Sequence, residues 1–412
     1  MNGAAEQEAV APAPRRRRPV VGVAPILAIL LLQLGLAYLA LGAWYTLSGN
    51  DGWNRARNPI GVDFVQYYAA SGLALAGDAV GVYDHDTLFA AEDAVIEGDP
   101  GRWPWSYPPT FLLVILPFAK LPYLWALGVW LAAGLAALLY VGWRLAPHPL
   151  TPLLVLAYPA VGNSLFAGQN GCLSAALLGG GLLALERRPW LAGLLFGLLS
   201  YKPQLGLLLP LALIAGGYGR AFAGAALTTL AFAALSLAVF GPGPWQAFIA
   251  NLGFMREVFE KGYAALENMP TWFAFVRLLG GPHGLAYLLQ VAGLLAAAGF
   301  VVWLWRRPLR FELKAAGLLF AIPLTTPYAQ FYDLAALALG LLWLCAVARD
   351  CGWRPGEQAA LSLLWVAPVA LWLIAFWLGL QLWPLLLSLL LVLVARRVLS
   401  PGRRTASSSP SR

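Results

Sequence analysis

Charge is what this chain has least of: 11% of its 412 residues are Asp, Glu, Lys or Arg, and 60% are hydrophobic. Soluble domains are about a quarter charged and under half apolar. That shortage excludes a cytosolic enzyme, a disordered protein and a fibrous one. Cysteine is equally scarce, with Cys172, Cys345 and Cys351 far apart or in unrelated settings, so no disulfide framework is implied. The three histidines, His85, His148 and His283, are scattered without metal-ligand spacing. What remains is apolar sequence in long runs. At about 20 residues per crossing these runs supply about twelve helices, and the expected fold class is an all-α polytopic membrane protein.

The formal net charge of +8 usually points to nucleic acid or anionic surfaces. Here most arginines stand in short clusters beside apolar runs: Arg15 to Arg18, Arg187 with Arg188, Arg306, Arg307 and Arg310, Arg396 with Arg397, and Arg403 with Arg404. This is the distribution of cytoplasmic loops under the positive-inside rule, and no nucleic-acid partner is expected. The run from Val20 to about Leu47 is too long for a signal-peptide core and is read as a retained first helix. Residues 1–19 are expected to be a disordered basic cytoplasmic tail, 20–400 a membrane domain and 401–412 a disordered C-terminal tail. An inner, or plasma, membrane location follows from that design.

One long polar insertion, 48–106, holds nine of the nineteen acids. With Arg15 to Arg18 inside, the first helix delivers it to the extracytoplasmic face. Within it, Phe64 to Leu75 has apolar positions at helical spacing and reads as a helix lying along the membrane surface. A second extracytoplasmic loop is expected at 242–282. Taking the remaining arginine clusters as inside puts Gly168-Gln169-Asn170, Lys202-Pro203-Gln204, the second loop and Pro327 to Asp333 on the same outer side. Pro108 to Leu121 must re-enter or form a short helix, and Trp190 to Tyr201 and Leu205 to Gly217 are short for full crossings. Such broken helices are tolerated where they line a cavity.

Several polar residues then ask for a reason. Asp63 precedes the surface helix and is either its N-cap or a desolvated carboxylate, whose raised pKa makes it a better proton acceptor. Lys202 is the sole lysine between Lys120 and Lys261. It is either a snorkelling side chain or a buried cation with an anionic partner such as a phosphate. Tyr107-Pro108-Pro109, after Trp103 and Trp105, reads as an interfacial aromatic belt leading into a helix or as a wall for a sugar ring. Asp84-His85-Asp86 has donors for a divalent ion but equally suits a solvated turn, and no metal is assigned. Gly179-Gly180-Gly181 lacks a phosphate-loop context and suits close helix packing. Asn268, Arg277, Tyr328, Gln330, Tyr332 and Asp333 sit in two further polar breaks between apolar runs.

These motifs occur in a recognisable order. Asp63 through Tyr68, Tyr107-Pro108-Pro109, Gly168-Gln169-Asn170, Lys202-Pro203-Gln204, Asn268-Met269-Pro270 and Pro327 through Asp333 together resemble glycosyltransferase family 87, also catalogued as domain of unknown function 2029. The resemblance covers roughly residues 20–400. That family includes polyprenol-phosphate-mannose-dependent mannosyltransferases. The resemblance implies a helical bundle of the GT-C type, with a catalytic acid in the first outer loop and a polyprenyl-phosphate-linked sugar as donor. A lipid or glycan hydroxyl would be the acceptor, and no cofactor would be needed. On that reading Asp63 is the general base, and Lys202, with Arg277, offsets charge on the donor phosphate. Tyr67, Tyr107, Gln169, Asn170, Gln204, Asn268, Tyr328, Gln330, Tyr332 and Asp333 line the cavity. Members acting on mannose often carry a histidine near the last segment, where this chain has Gln330, so the donor hexose stays open. The competing readings are a transporter or flippase of a lipid-linked glycan, and a glycan polymerase or ligase.

Overall fold

The protein is described by a computed structural model over residues 25–49, 53–54, 58–96, 104–261 and 263–399. The expected tails at 1–19 and 401–412, with Arg15 to Arg18, Arg403 and Arg404, lie outside the described residues, as does Trp103. Of the described residues 78% are helical, and among them the one β contact is an isolated bridge between Trp53 and Pro59. Among the described residues five helices are long and apolar enough to cross a membrane: Tyr123–Leu145, Gly219–Phe240, His283–Trp305, Phe331–Cys351 and Glu357–Leu378. A sixth arises if Leu150–Leu156 and Pro159–Ala167, bent by 59°, form one broken span. About twelve were expected from the apolar runs and their sidedness, with several short or broken. Pro109, Pro159, Pro189 and Pro203 each begin a new short helix, because a proline lacks the N–H that a continuing helix needs but suits a first turn.

These breaks shape the centre of the molecule. Helix Gly171–Ala184 descends from Asn170 towards Arg187. Helix Pro189–Leu198 and the 3-10 turn Leu199–Tyr201 climb back to Lys202. The two ends of this hairpin therefore hold different chemistry, amide and ammonium groups at one and arginines at the other. The triple glycine packs it, as read from sequence: a Cβ at Gly179 or Gly181 would strike the side chain of Leu339 or Phe196.

Between the first helix, Pro25–Leu47, and Pro109 the polar insertion folds into Phe64–Leu75, the 3-10 turn Gly81–Tyr83 and His85–Asp93. The helix Phe64–Leu75 has the predicted bounds but not the predicted setting. Phe64, Val65, Gln66, Tyr67, Ala69, Ala70, Ser71 and Ala74 are all buried, so it is enclosed rather than half-immersed. Its walls come from Pro109–Ile115 and Leu116–Lys120, which form the short-helix alternative for that segment, and from aromatic rings. Phe64 and Tyr67 sit edge-on or tilted to Trp130, and Tyr67 lies 5.0 Å from Phe111. Trp105 and Tyr107 are buried here as well, which removes them from any interfacial belt.

At the arginine-rich end, Arg397 forks onto Glu357, with Nε donating to Oε1 at 2.5 Å and Nη2 to Oε2. Both residues are buried, and Nη2 also donates to Gly352 O at 3.1 Å. Removing one partner of such a pair strands the other charge, at about 3–5 kcal/mol. Arg397→Met is therefore expected to lower stability by about that amount, and Glu357→Leu added to it should restore most of the loss. Thermal unfolding in detergent measures both, and a double variant as unstable as the single would show that the two residues do not act as a pair.

Candidate active site

The site begins with a turn. Helix Pro159–Ala167 ends on Gly168, which is left-handed with φ 78°, a conformation that L side chains rarely adopt. A Cβ there would also stand 2.8 Å from Phe64 Cβ and 3.0 Å from Gly61 Cα. Glycine thus lets two segments touch, and Asp63 N donates to Ala167 O at 2.9 Å while Trp130 Nε1 donates to Gly168 O at 3.1 Å. Ser164 secures the next residue, its Oγ donating to Gln169 O at 3.2 Å and accepting from Cys172 N. Gly171 meets the Tyr332 carbonyl so closely that a Cβ would collide with it. Three chain segments separated by more than a hundred residues are held side by side.

Their side chains form one continuous line of hydrogen bonds. Lys202 is 2% exposed, and its Nζ lies 2.5 Å from Asp333 Oδ1 and donates to Asn170 Oδ1 at 3.0 Å. Asn170 Nδ2 donates to the hydroxyls of Tyr67 and Tyr107 at 3.1 and 3.0 Å. These phenols are 2.7 Å apart, and Tyr67 donates to Gln169 Oε1 at 2.5 Å. Gln169 Nε2 donates to Asp63 Oδ2 at 2.9 Å. An ammonium group only donates and an ionised carboxylate only accepts, so both ends force the orientation of each amide and hydroxyl between them. Every donor in the line points from Lys202 towards Asp63.

The remaining contacts settle what several residues do. Asp63 starts helix Phe64–Leu75 without a side-chain capping bond, so its carboxylate serves the network and not the cap. Its Oδ1 has no hydrogen-bond donor among the described residues. Lys202 does not snorkel; its charge is answered by Asp333, and its Nζ lies 4.6 Å from the centre of the Tyr332 ring. Asp333 is in turn fixed by Gln330 N, which donates to Oδ2 at 3.0 Å in a reciprocal capping box. The anionic partner expected for Lys202 is therefore present in the protein itself.

Other sequence candidates are not hydrogen-bonded into this line. Arg277 Nη1 donates to Gly281 O at 2.7 Å, closing its own helix. Asn268 Oδ1 accepts from Trp372 Nε1 at 2.7 Å. Gln204 is partly buried two residues beyond Lys202, and Tyr328 is exposed. Asp84 caps His85–Asp93 by accepting from Thr87 N at 3.0 Å, the turn reading of Asp84-His85-Asp86, and the described residues contain no cluster of three or more metal-ligating side chains. Sequence reasoning missed Ser164 and the Ser174 to Tyr201 hydroxyl contact at 2.9 Å. Their only signal was small polar residues spaced along otherwise apolar helices.

Burial pushes the Asp63 carboxyl up to about 6, against the pull of the Gln169 hydrogen bond and the Lys202 charge. A carboxylate in this condition is still ionised at neutral pH but holds a proton more readily than a solvated one. The network thus presents a desolvated base at one end and a compensated cation at the other.

Comparison with known proteins bears on this geometry. The sequence profile of glycosyltransferase family 87 matches residues 105–327, more than half of the chain and the stretch that carries Tyr107, Gln169, Asn170 and Lys202. No curated protein and no solved structure matches.

Dicyclohexylcarbodiimide reacts with protonated carboxyls in apolar surroundings, and mass spectrometry locates the adduct. Labelling of Asp63 is expected to be half-maximal near pH 6. Gln169→Leu removes a donor that favours the charged form, so the midpoint should move about one pH unit higher. An unmoved midpoint would show that the amide does not bond Asp63 in the working protein.

Proposed function

This chain belongs to glycosyltransferase family 87, and from that membership we propose that it moves a hexose from a polyprenyl-phosphate donor to an acceptor hydroxyl at the extracytoplasmic face. The observation that carries the reading is the partly buried Asp63, held by one oxygen and with the other unengaged. In the proposed reaction the acceptor hydroxyl attacks the anomeric carbon while the bond from that carbon to the phosphate oxygen breaks. Asp63 takes the hydroxyl proton, the lipid phosphate leaves with the electron pair, and a single displacement inverts the anomeric configuration. Tyr67, Tyr107, Gln169 and Asn170 orient the base, and Lys202 supplies positive charge within the same network.

Two further observations support a donor carried by the membrane. An apolar groove of about 260 Å³ lies between the first helix, Ala157 with Pro159, and Glu357–Leu378, lined by Leu31, Leu34, Tyr38, Leu41, Trp365 and Val369. Helix Pro159–Ala167, nine residues and so about 13 Å long, runs from that groove to Gly168. An isoprenoid chain suits such a wall. Sugar nucleotides are made in the cytoplasm, so transfer on the outer face needs a donor that has crossed with its lipid. The bundle is then of the GT-C type in the plasma membrane, with short apolar helices such as Pro189–Tyr201 and Pro203–Ala215 completing about twelve crossings. The acceptor is a lipid or glycan hydroxyl.

The test is purified protein in nanodiscs with a panel of polyprenyl-phosphate sugars, following sugar-dependent release of polyprenyl phosphate. Asp63→Asn should reduce the rate by about 10²–10⁴, and the wild-type rate should climb as pH rises through about 6, where Asp63 ionises. Undiminished release in the variant would remove Asp63 from the chemistry. Movement of a solute without any release would favour a transporter.

A further inference from the structure

Basic residues at the arginine-rich end of the molecule include two contrasting sets. One set is neutralised within the chain. Arg310 bonds Glu312 and Asp350 at 3.2 and 2.7 Å, Arg349 bonds Asp350 at 3.1 Å, and Arg397 bonds Glu357. The other set is Arg187, Arg188, Arg220, Arg306 and Arg307. All five are exposed, and none has an acidic partner within ion-pair distance among the described residues.

These five come from three separate connections that packing draws together. A Cβ at Gly193 would stand 2.7 Å from Ala221 O, and one at Gly224 would stand 3.3 Å from Trp190 Cε3. The start of helix Pro189–Leu198, next to Arg187 and Arg188, therefore lies against the start of Gly219–Phe240, which carries Arg220. The Tyr218 ring meets that of Trp305 at 5.9 Å, which brings in Arg306 and Arg307. Lys314 adds a sixth cation near Trp305, donating to its carbonyl at 3.2 Å. Glu186 is the acid that faces them, close enough to act on Tyr218 and Lys314. The patch is rimmed by indoles: Trp190 is exposed, and Arg307 lies 4.8 Å over the Trp303 ring.

We propose that this patch is a binding site for anionic phospholipid headgroups of the cytoplasmic leaflet. Arginine forks match phosphate oxygens, and tryptophan beside arginine marks the level of the headgroups. A soluble anion has no use for the exposed apolar helix faces beside the patch, where Leu191, Leu194 and Leu227 are open, whereas a lipid covers both.

The experiment uses full-length protein in non-ionic detergent, with native mass spectrometry counting retained dioctanoyl phosphatidylglycerol against dioctanoyl phosphatidylcholine. Phosphatidylglycerol should bind in preference. Each arginine removed should weaken that preference about fivefold, in Arg187→Gln with Arg188→Gln and in Arg306→Gln with Arg307→Gln. Lysine at the same positions should retain most of it. Arg349→Gln, which removes one charge from the neutralised set, should leave it unchanged. Equal retention of the two lipids, an undiminished preference in both glutamine pairs, or an equal loss from Arg349→Gln would overturn the site. If a paired variant fails to fold, Arg220→Gln alone carries the same fivefold expectation. No sugar transfer is measured, so the result stands apart from the proposed reaction.

Discussion

An ammonium group that can only donate, buried beside a carboxylate, dictates the polarity of everything around it. Lys202 imposes the orientation of Asn170, which orients two phenols, which orient Gln169, which delivers its N–H to Asp63. In an interior of low dielectric such aligned bonds polarise one another. A single missing partner would leave a buried polar group unsatisfied, at about 1–3 kcal/mol. The chain satisfies Lys202 itself with Asp333, so the line is complete before any substrate arrives.

The rest of the architecture serves to bring these ends together. Broken helices do what long ones cannot: they place a residue mid-bundle with free backbone groups on both sides. Lys202 occupies such a break, between the turn Leu199–Tyr201 and Pro203, and Asp333 occupies another, in Phe331–Ala336. The aromatic cluster of Phe64, Tyr67, Phe111 and Trp130 then excludes water from one flank. Desolvation of Asp63 is therefore a property of the packing around helix Phe64–Leu75 and not of the aspartate's place in a loop.

Much of this was legible in the sequence, because a polar residue stands out against an apolar background. Asp63, Tyr107, Gln169, Asn170, Lys202 and Asp333 were singled out on that ground, and the structure joins all six. The same signal also marked Asn268 and Arg277, which the structure uses to bond Trp372 and to close a helix. Composition does not distinguish a residue that breaks a helix for a site from one that merely ends it. The buried pair Glu357 and Arg397 escaped notice for the opposite reason: both lie among basic loops, where charge reads as sidedness. Pairing across 40 residues has no local signature. Run length likewise records hydrophobicity and not where proline restarts the helix.

The direction of the hydrogen bonds gives the proposed transfer a consistent charge flow. Before reaction Asp333 pairs with the Lys202 ammonium group, whose charge also acts on Asp63 from the other end of the line, and the line of donors stabilises the charge on Asp63. As the acceptor hydroxyl gives up its proton, Asp63 becomes neutral and the negative charge appears on the departing phosphate. The donors aimed at Asp63 then have less to stabilise, and the field of Lys202 is no longer divided between two protein carboxylates. Loss of charge at the base and gain of charge at the leaving group are opposite ends of one event. A cation that is fully compensated in the resting state and less so in the transition state contributes to the rate, because only the difference between the two states lowers the barrier.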